Sequence, residues 1–368
     1  MAAKDFLLPA GTYLASHGIG RPLQRSQSRF NERYFDVWAQ SSDPWQQWLS
    51  HIQQFRHVLA HVLATNAESL SPQVNVASGI AKLARTLPAL KEGQKVLIAE
   101  HDFPSTGFAL TRALPLGQQQ LRFIPKSLDL TDIGVWADYL TADIGMVWLS
   151  HGFANLGLQA PVQAIIELAH QRQIMVTLDV AQTAGVIPIE LDQWQPDFAL
   201  GSCVKWLCGG AGAGFLWVNR HRLVHCHSQD LGWFGQQDPF ELDVHHYVDH
   251  PDAQRFWGGT PTVAPFVIAA DSMQYLVDYG IARIRQHNLA LQQQLIDAFG
   301  ELVVSPHEPT QRSGTLLLNL GQYQSRLLTA LQAAGIHTDE RFTGVRISPH
   351  IYNHSRDMGQ VIQVLRSI

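Results

Sequence analysis

Short apolar runs alternate with helical patterns through the middle of the chain, and this alternation restricts the possible fold strongly. The runs lie at 95–99, 145–149, 174–178, 198–200 and 214–218. Between two of them, segment 161–170 begins with proline and has the apolar spacing of a helix. Continuous apolar strands separated by helices form a mostly parallel sheet that is covered on both faces. The sequence therefore predicts a mixed α/β fold.

The two ends of the chain differ from this middle region. Segment 45–64 has apolar residues at helical spacing, with Asp43 as N-cap and Pro44 in the first turn. From about residue 265 a long helical pattern, 267–298, is followed by strands and helices at wider spacing. These later elements are strand 315–320, helix 324–334, strand 344–348 and helix 358–368. We therefore predict a large domain, 20–260, and a smaller α+β domain formed by 1–19 with 261–368.

Composition narrows the functional class. The net charge is −5 and the pI about 6.4, whereas a dedicated nucleic-acid binder usually carries a basic patch. Three cysteines are too few for a disulfide framework, which favours a reducing, cytoplasmic setting. The first ten residues lack the apolar core of a signal peptide, and no apolar run is long enough to span a membrane. We expect an enzyme of the cytoplasm that binds neither nucleic acid nor membranes.

Polar residues follow several of the predicted strands, at the edge where α/β sheets bind ligands. Lys205 is unusual among them, because its neighbours 202–208 carry no other charge and a glycine run follows at 209–214. One interpretation is a lysine whose stem packs on apolar surface while its amine reaches water. The other is a desolvated amine with a lowered pKa that is able to form a Schiff base.

Asp179 ends an apolar strand, where an unpaired carboxylate is costly. It is either an N-cap for the following segment or the partner of a cation. A protonated pyridine nitrogen is such a cation, and pyridoxal phosphate needs a carboxylate partner to act as an electron sink. Asp179 and Lys205 thus favour the same cofactor.

Two other groupings have commoner explanations. His221, His225, Cys226 and His227 include an i,i+4 histidine pair, but the chain has 18 histidines, and we interpret them as a histidine-rich surface loop. We predict no metal site. The glycine run 209–214 lacks the GxGxxG pattern and precedes a strand, which disfavours dinucleotide binding.

The sequence resembles the class V, fold-type I pyridoxal-phosphate enzymes, a group that includes cysteine desulfurases, kynureninases and class V aminotransferases. The resemblance rests on LDVAQTAG at 178–185, DFA at 197–199, KWL at 205–207 and the glycine run that follows. Further matches are DFPS at 102–105, LGWFG at 231–235, RF at 255–256 with GTP at 259–261, and VRIS at 345–348 with YN at 352–353. It spans nearly the whole chain.

The resemblance implies a role for each matching residue. Lys205 binds the cofactor as a Schiff base and later carries protons, Asp179 pairs with the ring nitrogen, and Gln182 bonds the ring's phenolic oxygen. Phe103 stacks on the ring, with His101 as the alternative. Arg346 binds the substrate carboxylate bidentately, as guanidinium groups do well. The remaining implied residues are Ser202, Ser78, Gly79 and Ile80 at the phosphate, Thr260 reaching the phosphate of a second subunit, and His17, His151 and Trp233 near the site.

These residues imply a homodimeric enzyme with shared active sites that acts on a small-molecule substrate, an amino acid. The enzyme would be either an aminotransferase or a kynureninase-type lyase or hydrolase. Val204 stands where relatives have Tyr or His, Gln182 replaces the His usual in kynureninases, and Thr106 occupies the place of a kynureninase Asp. Cysteine desulfurase is disfavoured because 315–346 contains no cysteine. The alternative is a non-catalytic or regulatory protein of the same fold.

Overall fold

A central β-sheet organises the larger part of the molecule. The computed structural model describes residues 2–87 and 94–368. The strands of the central sheet and of the smaller sheets, in chain order, are β1 (Thr12–Tyr13), β2 (Leu70–Gln73), β3 (Lys95–Ala99), β4 (Leu121–Ile124), β5 (Ile144–Ser150), β6 (Gly152–Phe153), β7 (Leu158–Gln159), β8 (Met175–Asp179), β9 (Phe198–Ser202), β10 (Gly214–Val218), β11 (Leu316–Leu318), β12 (Ile336–His337), β13 (Asp339–Arg341) and β14 (Gly344–Ile347).

Helices cover this sheet and build much of the C-terminal region. They are α1 (Ser26–Phe30), α2 (Asp36–Gln40), α3 (Trp45–Val62), α4 (Val76–Thr86), α5 (Pro104–Ala113), α6 (Ile133–Tyr139), α7 (Val162–Gln171), α8 (Leu191–Trp194), α9 (Arg220–Leu223), α10 (Ala264–Tyr279), α11 (Ile281–Phe299), α12 (Gln324–Ala333) and α13 (Ser355–Arg366). A π-helical turn, Asn31–Phe35, joins α1 to α2. Within the described ranges, no helix combines the length and the apolarity that crossing a membrane requires.

The sheet is mostly parallel, as predicted. Its order is β2-β10-β9-β8-β5-β3-β4, and β9, β8, β5, β3 and β4 run in one direction. Strand β10 is antiparallel to both of its neighbours. The carboxyl ends of the parallel strands therefore meet at one edge. In register there, Ser150 lies beside Asp179, the last residue of β8.

Both faces of the sheet are buried, which explains the continuous apolar runs. Along β5, Val147 and Leu149 belong to one apolar cluster, whereas Met146 and Trp148 belong to another. Because successive side chains of a strand point to opposite faces, these two clusters lie on opposite sides of the sheet. The α/β fold, with a mixed and mostly parallel sheet, is confirmed.

A second core lies in the C-terminal region. Strands β11, β14 and β13 form an antiparallel sheet, and α11, α12 and α13 pack with it around residues such as Leu295 and Leu331. The N-terminal segment joins this core, because β1 pairs in parallel with β12 and Leu14 is buried there. The division into 20–260 and 1–19 with 261–368 stays a prediction.

Some predicted elements have different bounds. The helical pattern over 267–298 is confirmed, but it comprises two helices, because α10 ends at Tyr279 and the next residue, Gly280, has a φ of 97° that is incompatible with a helix. Strand 315–320 is shorter, since only Leu316–Leu318 pairs with β14. The helix predicted over 45–64 is α3. It begins as expected, with the Asp43 carboxylate accepting a hydrogen bond from the Trp45 N–H at 3.1 Å. The sequence analysis did not identify β2 or β4, which lie at or near the sheet's edges.

Candidate active site

Lys205 lies in the turn between β9 and β10. The Cys203 N–H donates to the Ala213 carbonyl across this turn, and Gly210 and Gly212 adopt positive φ angles that let the chain reverse. Lys205 is half-buried, and its Nζ has no hydrogen-bond or ion-pair partner in the part of the chain that the structure describes. Burial lowers the pKa of Lys205, and the charge of Arg346 lowers it further. The lowered pKa favours the uncharged form of the Lys205 amine, which is the form that can accept a proton.

Asp179 presents a buried carboxylate next to this amine. Its Oδ1 accepts a hydrogen bond from the Ala181 N–H at 2.8 Å, and it forms no ion pair with the described residues. Burial raises the pKa of Asp179, while the Ala181 N–H and the charge of Lys205 act against that rise. The Asp179 carboxylate is thus buried without a paired cation among the described residues. A ligand with a positive charge would stabilise its ionised form.

Phe103 and His101 occupy different positions, although both were candidates for stacking. The Nζ of Lys205 lies 5.9 Å from the centre of the Phe103 ring, whose residue is 66% exposed. The His101 ring instead stacks on Phe342, at 6.4 Å between centroids, and its Nε2 bonds the Lys126 carbonyl. The ring beside the lysine is therefore that of Phe103.

Gln182 follows Asp179 by three residues and links two parts of the site. Its Nε2 donates to the His17 carbonyl at 3.3 Å, and its Oε1 accepts from the Trp206 indole at 3.4 Å. Both bonds are long, so the amide can exchange them for a shorter bond to a ligand. This arrangement is compatible with the role that the resemblance implies.

Arg346 and His17 share a partner that the sequence analysis missed. The Asp339 carboxylate accepts from Arg346 Nε at 2.8 Å and also from its Nη2, and His17 Nε2 lies 2.9 Å from the same carboxylate. The opposite ring nitrogen of His17 bonds the Ser348 hydroxyl at 2.7 Å. No motif marks Asp339, because its position opposite Arg346 depends on the register of β13 against β14.

The implied phosphate residues lie at the start of α4 and the end of β9. The N–H groups of Ser78 and Gly79 already bond Asn75, which caps the helix, and Ile80 is buried in the core. First-turn N–H groups without an intrahelical acceptor are those of Val76 and Ala77. The structure thus differs from the expectation that the N–H groups of 78–80 are free for a phosphate. Ser202 lies across the sheet edge, and its hydroxyl accepts only a long bond of 3.5 Å from the Val204 N–H.

Three further candidates are less directly connected to Lys205. The Trp233 indole donates to the Thr260 hydroxyl at 3.1 Å, so these two residues form one unit. The His151 ring packs edge-on against Trp194, and both of its ring nitrogens are buried without a partner among the described residues. The main-chain N–H of His151 donates to the Asp179 carbonyl, and this bond connects the residue to the site.

A second carboxyl group lies near Asp179. Asp102 accepts from the Ser150 hydroxyl at 2.5 Å and from the Ala99 N–H at 2.8 Å. Burial raises the pKa of Asp102 to about 7, and the negative charge of Asp179 adds to the rise. Glu100, His101 and Asp102 follow the predicted strand 95–99 and marked this edge in the sequence, but only the structure shows that the Asp102 carboxyl group is buried.

The comparisons with known proteins agree on one family. A family model described as "Aminotransferase class-V" matches residues 21–364. A curated kynureninase from Deinococcus radiodurans is 28% identical over 303 residues, which cover 78% of this chain and 71% of the relative. A kynureninase from Bacillus cereus is 25% identical over 392 residues, covering 99% and 90%.

Solved structures share the fold. A mutant of the cystine C–S lyase C-DES, with glycine covalently linked to its pyridoxal-phosphate cofactor, superposes with a TM-score of 0.87 at 18% identity, covering 97% of each chain. The apo cysteine desulfurase from Thermococcus onnurineus NA1 gives 0.85 at 16% identity, covering 97% of this chain and 94% of that one. At such identities the likeness describes the fold alone.

Proposed function

The chain belongs to the class V aminotransferase family, and from that premise we propose that it is an enzyme that uses pyridoxal phosphate to transform an amino acid. Pyridoxal phosphate is the cofactor of this chain. The observation that carries the proposal is the Lys205 amine, which is free of partners among the described residues and depressed in pKa, beside a carboxylate that lacks a cation.

The side chains at this edge fit the cofactor. A pyridinium nitrogen is the cation that the buried Asp179 carboxylate lacks. The exposed face of Phe103, close to the lysine, suits an aromatic ring. The lysine amine is nucleophilic when it is uncharged, and its lowered pKa favours that form.

When bound, pyridoxal phosphate supplies an electron sink that stabilises negative charge on the substrate's α-carbon. The chain's own residues then have three tasks. Arg346 binds the substrate carboxylate through guanidinium N–H donors. Lys205 accepts the proton from the α-carbon, since its pKa lies below the usual lysine value. Asp179 keeps a proton on the ring nitrogen by remaining anionic.

The finer proposal is a kynureninase-type hydrolysis of a γ-oxo amino acid. It is supported by the kynureninases from Deinococcus radiodurans and Bacillus cereus, to which this chain is 28% and 25% identical. In this reaction the Cβ–Cγ bond breaks, water supplies the hydroxyl group of the new carboxylic acid at Cγ, and Cβ receives a proton. L-Kynurenine would give anthranilate and L-alanine.

Transamination is the second candidate, because two positions depart from the kynureninase pattern. Thr106 replaces an aspartate and is buried at the start of α5, and Gln182 replaces a histidine. Transamination needs no group for side-chain cleavage, so these departures do not count against it. The same lysine, carboxylate and arginine serve both reactions up to removal of the α-proton.

A substrate panel on the cofactor-loaded protein separates the candidates. Anthranilate fluorescence reports cleavage of L-kynurenine, and keto-acid formation from amino acids reports transamination. Lys205→Ala is the matched inactive control. Release of anthranilate at a rate that depends on Lys205 supports the hydrolase. Keto acid without anthranilate supports the aminotransferase, and cofactor binding without either product would leave a non-catalytic or regulatory protein.

A further inference from the structure

Asp339 occupies a junction between the residues implied in binding substrate. Strands β13 and β14 are antiparallel neighbours, and their register places Asp339 directly opposite Arg346. His17 reaches the same carboxylate from the N-terminal segment. One carboxylate therefore joins the small-domain sheet to the segment that carries His17, whose main-chain carbonyl in turn contacts Gln182.

The exposures of the Arg346, His17 and Asp339 side chains indicate that the Asp339 carboxylate balances the buried charge of Arg346. The Arg346 side chain is 6% exposed and that of His17 is 1% exposed, whereas the Asp339 side chain is 39% exposed. A guanidinium buried to this extent needs an anion. Among the described residues, Asp339 is the carboxylate that lies within ion-pair distance of Arg346. Because water still reaches the Asp339 carboxylate, we expect the protein to fold when this carboxylate is replaced.

The geometry of the pair leaves other guanidinium donors of Arg346 available for a second carboxylate. Asp339 takes the Nε and Nη2 donors, which form one edge of the planar guanidinium. The other edge, formed by Nη1 and the second N–H of Nη2, points along a different direction in the same plane. Holding one edge fixes that plane, and fixing the plane aims the free edge.

We propose that Asp339 is the positioning residue of the substrate-carboxylate site, holding Arg346 and His17 so that the free guanidinium edge meets the carboxylate of the amino acid. The proposal rests on the proposed function for the identity of the ligand. It assigns Asp339 no contact with substrate or cofactor, because Asp339 acts through the two residues that it holds.

The opposite role is an internal competitor, in which Asp339 occupies the position that the substrate carboxylate must take. The two roles predict changes of opposite sign. If Asp339 positions Arg346, removing its charge weakens carboxylate binding. If Asp339 competes for Arg346, removing its charge strengthens carboxylate binding.

The experiment compares Asp339→Asn and Asp339→Ala with the control Glu340→Gln on the cofactor-loaded protein. Glu340 lies on the same strand, and its carboxylate makes no hydrogen bond or ion pair with the described residues. We expect KM for the amino-acid substrate to rise roughly ten-fold or more in both Asp339 variants, with kcat less affected. Asp339→Glu should recover part of the loss, and Glu340→Gln should match the unaltered protein.

A binding measurement makes the result independent of turnover. Calorimetry with 3-phenylpropanoate, against its neutral amide as the reference ligand, reports the carboxylate site without any reaction. Asp339→Asn should weaken binding of the carboxylate by a similar factor and leave binding of the amide unchanged. Unchanged or tighter carboxylate binding in Asp339→Asn would overturn the proposal. If no amino acid reacts but the carboxylate loses affinity as expected, the proposed function fails and the positioning role stands.

Discussion

Lys205 and Asp179 carry opposite formal charges at the sheet edge, and the described protein groups compensate neither of them fully. Burial lowers the pKa of Lys205 and raises the pKa of Asp179, so both residues are shifted toward their neutral forms. A cofactor with a cationic ring nitrogen and an aldehyde carbon satisfies both groups at once. This complementarity of charge is the residue-scale basis of the proposed function.

Asp179→Asn tests whether this carboxylate acts electronically. The substitution keeps the shape and the bond from the Ala181 N–H but removes the anion. We expect the cofactor to remain bound while exchange of the substrate's α-proton with solvent slows at least about 100-fold. Exchange is followed by NMR in D₂O. Asp143→Asn is the matched control, because Asp143 lies at the opposite end of the same sheet beside Lys95. Near-normal exchange in Asp179→Asn would make Asp179 a structural cap.

At the scale of elements, the site depends on how closely α4 packs on the sheet. A Cβ built on Gly79 would lie 2.4 Å from a methyl carbon of Leu200 on β9, which is closer than van der Waals contact allows. The glycine therefore lets the start of α4 approach the edge that carries Ser202 and Lys205. The approach itself is a packing requirement, separate from any role of Gly79 in binding a phosphate.

Gly79→Ala should lower the free energy of unfolding by about 1–3 kcal/mol, because the added methyl group forces Leu200 or the helix to move. The control is Gly359→Ala in α13, where a Cβ would have nothing within 4 Å. Alanine favours helix over glycine, so this control should stabilise the protein by up to about 1 kcal/mol. Urea unfolding curves measure both changes. Equal effects of the two substitutions would contradict the packing argument.

The elements also show how far sequence reasoning extends. Strands β3 and β10 have the predicted bounds, because each is a short apolar run with a polar or glycine boundary. The helical pattern over 267–298 was visible in the sequence, but the positive φ of Gly280 was not, so the break between α10 and α11 was not predicted. Asp339 was missed because a three-residue strand has no periodicity, and its partner depends on sheet register. Lys205 and Asp179 were identified as candidates because a charge beside apolar residues is conspicuous at a strand end, and their roles in the site stay predictions.

On the scale of the whole molecule, buried histidines link stability to pH. Burial lowers the pKa of His151 to about 3 and that of His350 to about 4, and it also lowers the pKa of His17. The unfolded chain binds a proton at each of these residues as the pH falls through about 6.5, whereas the folded chain binds it only at a lower pH. These groups therefore make the folded state less stable as the pH falls below about 6.5.

His151→Leu isolates one such contribution, since neither ring nitrogen has a partner to lose among the described residues. Between about pH 7.5 and 5.5 the variant should lose about 1.4 kcal/mol less unfolding free energy than the unaltered chain. Urea unfolding at the two pH values measures this difference. His221→Leu, at an exposed residue of α9, is the control for the replacement of histidine by leucine itself. An unchanged pH dependence of the unfolding free energy in His151→Leu would mean that His151 takes up its proton over the same pH range in the folded and unfolded chains.

A shared active site is the second prediction for the whole molecule. The resemblance implies that Thr260 reaches the phosphate of a second subunit, and Thr260 is exposed in the single chain. Because the Trp233 indole donates to the Thr260 hydroxyl, we expect Trp233 to hold Thr260 in that position. Lys205→Ala and Trp233→Ala should each be inactive alone as homodimers. After mixing and subunit exchange, half of the dimers are hybrids with one intact site, so activity should recover to about a quarter of the unaltered level. No recovery, with exchange verified by mass spectrometry, would show that Trp233 serves its own chain.

The most direct test of the central claim locates the cofactor on the chain. Purified protein incubated with pyridoxal phosphate is reduced with borohydride, digested and mapped by mass spectrometry. The account predicts a single pyridoxyl group on Lys205 and, in Lys205→Ala, no specific attachment, although the fold is retained. Attachment to any other lysine, or a protein that stays unlabelled after reconstitution, would contradict it.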